Sequence, residues 1–75
     1  MPSAVSDEEL RAKVRAIVMD LAKQHGMRMN GSIEPLVFHH AVLVRQFMDR
    51  LPLETLLQSL RETGHEMFVN LRKLN

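Results

Sequence analysis

With 75 residues, 10 Lys and Arg against 9 Asp and Glu, and no Cys, the chain has room for one domain and cannot be held by disulfides. It also lacks the excess positive charge that drives proteins onto a phosphate backbone. Chains of this length remove only about 60% of their surface from water on folding, so with disulfides excluded a structural metal, unusually regular helix packing or a second subunit is expected to supplement the small core.

The first six residues read as an N-terminal arm, ended by a well-marked helix start. Ser6 with Glu9 three residues later is a capping box, Val5 with Leu10 is the matching hydrophobic staple, and Asp7, Glu8 and Glu9 suit the positive end of a helix dipole. Leu10, Val14, Ile17, Val18 and Leu21 then recur at helical spacing, giving one buried face. Gly26, after the basic turn Lys23-Gln24-His25, stops this helix, which should run from Asp7 to His25.

Asn30-Gly31 marks a turn, and Ser32 can cap a second helix that tolerates Pro35 in its first turn. That helix is expected from Ile33 to Arg50 and to be the central one. At 100° per residue, Leu36, Val37, Ala41, Leu43, Val44, Phe47, Met48 and Leu51 fall on one arc of about 160°. The opposite face carries His39, Arg45, Gln46, Asp49 and Arg50, interrupted by Phe38 and Val42 four residues apart. The β-branched run from Leu36 to Val44 could form a strand, but the helical period continues to Leu51 and favours helix.

Pro52 forces a tight junction into a third helix, Leu53 to Leu74. Gly64 after Arg61-Glu62-Thr63 resembles a stop, which would divide this segment in two and give four helices. However, Leu53, Leu57, Leu60, Gly64, Met67, Leu71 and Leu74 keep one phase across the glycine, and a turn would normally reset it. The expected fold is therefore an all-α, dimeric three-helix bundle spanning residues 1–75 as a single domain.

No constellation of catalytic residues emerges, and neither enzymatic activity nor a cofactor is expected. His65-Glu66-Met67-Phe68-Val69 starts like the zinc-protease helix motif but has Val where the second His must stand. His39 and His40 diverge by about 100° on a helix and cannot share an ion. No phosphate-cradling glycine loop or nucleophile elbow occurs, and the carboxylates Glu9, Asp20, Asp49, Glu54 and Glu62 fall on solvent faces. The start of the chain has neither the basic residues nor the apolar run of a secretion signal. The stretch from Pro35 to Val44 is far short of the roughly 20 residues that span a bilayer. A cytoplasmic protein that does not enter membranes is expected.

What remains is an interaction surface. Phe38 and Val42 form an apolar stripe on a charged face, to be covered by the third helix, by the N-terminal arm or by another protein. Met27 and Met29, flanking Arg28, offer adaptable surface or cap the end of the bundle. His40 lies at the centre of the apolar arc, as a half-buried ring bonded to a carbonyl or carboxylate or as a pH-sensitive contact between subunits. The expected function is that of a small regulator, adaptor or accessory subunit acting through a helical, homodimeric interface. The alternative is a dimeric DNA-binding transcriptional regulator that assembles Arg11, Arg15 and Arg28 with their symmetry mates. A helix-turn-helix centred on Gly64 fits poorly, because it would leave Ser59 and Asn70 between the packed helices.

Overall fold

The computed structural model describes residues 5–27 and 33–73, the side chains of 71 and 72 excepted. Met29, Arg28, the Asn30-Gly31 turn, the Ser32 cap and Leu74 lie outside the described residues, as do the side chain of Leu71 and residues 1–4 of the arm. Three helices pack together: α1 (Asp7–Gln24), α2 (Ile33–Phe47) and α3 (Leu53–Lys73). Among the described residues there is no strand, and no helix is long and apolar enough to cross a membrane.

Local chemistry sets both ends of α1. Ser6 Oγ accepts the Glu9 amide at 3.1 Å, satisfying one of the amides left open in a first turn. At the other end Gly26 takes φ +67°, a left-handed conformation that costs glycine little. The Met27 amide bonds Ala22 O and the Gly26 amide bonds Lys23 O. This is a Schellman closure, and Met27 folds back against the core.

The expected stripe on α1 is buried throughout, joined by Ala22. It is α1, not α2, that occupies the centre: α1 packs along both other helices, which touch each other only sparingly. Leu10, Val14, Ile17, Val18, Leu21 and Ala22 of α1 are all buried, a wider buried set than α2 carries.

α2 ends at Phe47 rather than Arg50. The Arg50 and Leu51 amides both turn back to Phe47 O, so the chain reverses before Pro52, which cannot donate to a continued helix. Only Ile33, Val37, Ala41 and Val44 of α2 are buried. Leu43, Phe47 and Leu51, expected in the core, are exposed, because an arc of 160° is wider than one neighbouring helix covers.

α3 is a single helix through Gly64. Its buried line is Leu56, Leu60, Gly64 and Phe68, while Leu53, Leu57 and Met67 are only half-buried. The contact thus follows an i, i+4 ridge, which inclines to the helix axis, rather than the expected axial seam. Phe68, 1% exposed, becomes one of the largest core residues.

Candidate functional site

α2 carries its core stripe between two exposed apolar flanks. Taking Ile33, Val37, Ala41 and Val44 as the centre, Phe38 and Val42 lie about 105 to 145° round on one side, and Phe47 and Leu43 lie about 75 to 115° round on the other. Of the large hydrophobic residues exposed among those described, only Met19 lies outside the segment from Phe38 to Leu51. Phe38 is the most exposed of them, at 55%.

Beside Phe38 runs a groove of about 240 Å³ between α1 and α2. It is lined by the buried Leu10 and Ala41, the exposed Val42, and the polar residues Asp7, Arg11, Arg45 and Gln46. The Arg11 guanidinium stands 5.6 Å from the Phe38 ring centroid, within the range of a cation–π contact. Among the described residues none of α3 lines this groove, so the described part of the third helix does not cover Phe38 and Val42.

Ion pairs hold α1 and α2 in register around it. Arg45 Nη2 donates to Val5 O at 2.6 Å and to Asp7 Oδ1 at 2.8 Å, tying the entry of α1 to the last turn of α2. On the helical wheel Arg45 reads as a solvent-facing cation, and its half-burial and two partners show otherwise. Arg15 grips Glu34 through Nε at 3.1 Å and Nη2 at 2.6 Å. That hydrogen bond raises the Arg15 pKa and lowers that of Glu34. Both partners are exposed, so water screens the pair. Of the three arginines expected to face DNA, Arg15 is thus engaged by Glu34 and Arg11 leans over Phe38, while Arg28 is outside the described residues.

The predicted site residues do not form one surface. Phe38 and Val42 share a face and line the groove. Met27 is half-buried against the core and closes the end of the bundle. His40, two residues beyond Phe38, is rotated about 160° from it and belongs to the other flank. It is half-buried, but its Nε2 lacks the hydrogen-bond partner expected for it. Burial pushes its pKa below the ordinary 6.5, and the neighbouring His39 lowers it further.

The geometry defines a helical bundle with an apolar, charge-rimmed surface centred on one helix. The chain matches no family model, and neither a curated protein nor a solved structure is similar to it.

Proposed function

We propose that this domain is a protein-interaction module, a small regulator, adaptor or accessory subunit, that works as a homodimer through the Phe38–Val42 face of α2. The observation that carries the reading is the exposed Phe38 ring beside an apolar groove that no other described residue of its own chain fills. A two-fold contact would place the ring of each copy in the groove of the other, the same patch serving both partners.

Charge and size agree with a second copy as the occupant. A rim that carries both signs limits repulsion when the patch meets itself, and here the pair Asp7–Arg45 stands on the rim with Arg11. A net charge of +1 gives two copies little mutual repulsion. A standard interface takes about 800 Å² from each partner, a modest fraction of the 5527 Å² this chain exposes.

Two substitutions separate this face from the other flank. Phe38→Glu should give a folded monomer by sedimentation and circular dichroism, whereas Phe47→Glu should leave the dimer intact. The opposite pattern would move the interface to Leu43, Phe47 and Leu51. A Phe38→Glu protein that stays dimeric and equally stable would remove the groove from the account.

A further inference from the structure

Away from this face, at the end where α1 closes against α3, His25 and His65 come together. Nε2 of His25 lies 3.0 Å from Nδ1 of His65, and the ring centroids are 4.7 Å apart with planes at 47°. A hydrogen bond straight along both ring axes at that spacing would put the centroids about 5.3 Å apart. The observed separation is shorter, so the two ring axes are bent away from a common line. With metal–nitrogen bonds of about 2.1 Å, nitrogens at this spacing subtend about 90° at a shared ion, and the centroids then fall about 4.6 Å apart.

The geometry points to a two-histidine site for a divalent copper or nickel ion, held by His25 Nε2 and His65 Nδ1. A right angle between imidazoles suits the tetragonal and square-planar preferences of these ions, copper binding the more tightly of the two. Tetrahedral zinc would want the nitrogens about 3.4 Å apart. His25 is held in place by stacking on Phe68, with centroids 5.8 Å apart and planes at 18°. Phe68 is itself buried, so half of the chelate is preorganised.

The surroundings favour a cation. His25 is the C-cap of α1, where the last carbonyls present the negative end of the helix dipole. Gln24, Glu62 and Glu66 line the groove next to His65. Of the cations nearby, Arg61 is paired with Asp20, and Lys23 is exposed. Among the described residues no three His or acidic groups converge on one point, so of these residues the two rings alone are the ligands, and water serves as a further one.

The test is a titration of the purified protein with copper(II) at neutral pH, followed by calorimetry and electron paramagnetic resonance, with magnesium as the control. One copper per chain should bind, with hyperfine coupling to two imidazole nitrogens, and thermal stability should rise because the ion joins α1 to α3. His65→Ala, at an exposed position whose fold circular dichroism can verify, should weaken copper binding at least about tenfold and leave one coupled nitrogen. His39→Ala should change neither. Undiminished copper affinity in His65→Ala, loss of affinity in His39→Ala, or no copper bound by the unaltered protein would each overturn the site, leaving an ordinary hydrogen bond between rings.

Discussion

Gly64 on α3 leaves the space that Leu21 of α1 fills: a Cβ placed on Gly64 would stand 2.6 Å from Leu21 Cδ1. Alanine normally gains about 1 kcal/mol over glycine inside a helix. Here that gain is opposed by a side chain only 4% exposed, which can move only by disturbing a packed core. Gly64→Ala should therefore destabilise by about 1 kcal/mol, and Gly64→Val by about 3 kcal/mol. In a Leu21→Val background, which removes Cδ1, Gly64→Ala should become neutral or stabilising. Urea unfolding of the four proteins measures the coupling, and simple additivity would show that the contact does not matter.

Phe68→Ala should be the most damaging single truncation of α3. Removing a fully buried Phe costs about 3 to 5 kcal/mol, against a total of about 4 to 11 kcal/mol for a chain this long. A largely unfolded protein at 37 °C is expected by circular dichroism. A cooperative transition within a few degrees of the unaltered protein would contradict the packing described for α3.

His40 should give stability a dependence on pH. Burial disfavours the charged ring, so its folded-state pKa lies below the ordinary 6.5, while the unfolded chain takes up the proton at about 6.5. The stability this contributes is fully present above about pH 6.5 and is lost as the pH falls through the lower folded value. His40→Leu should remove that part of the dependence. It should also stabilise by about 1 kcal/mol at neutral pH, because an unpartnered buried nitrogen is replaced by an apolar group. Unfolding midpoints at pH 7.5 and 5, taken at one protein concentration, test both statements, and identical pH slopes for the two proteins would contradict them.

Acidification should leave association unchanged, because His40 lies on the opposite flank of α2 from Phe38. Sedimentation profiles at pH 8 and 5.5 should superimpose. A dimer that dissociates at pH 5.5 would place His40 in the interface and the contact on the Leu43–Phe47 flank.

The three helices and their order were legible because their signals are local. The Ser6 cap, the Gly26 stop and the buried spacing on α1 need no knowledge of neighbours, and the unbroken phase across Gly64 correctly outweighed the glycine itself. What failed was anything that depends on which helix lies where. A helical wheel shows how wide the apolar arc of α2 is, not how much of it a neighbour covers. Leu43 and Phe47 therefore read as core, and α2 as central. Arg45 and His65 were likewise invisible as partners, since Val5, Asp7 and His25 come close to them only after α1 docks. Phe38 and Val42 were readable as surface because they break a polar face.

Whether a second copy covers Phe38 is read from sedimentation equilibrium of the unaltered protein over a wide concentration range. The expected mass is twice 8.7 kDa, falling toward one chain only on dilution and responding little to salt between 50 and 200 mM. A mass of one chain at every concentration would contradict it.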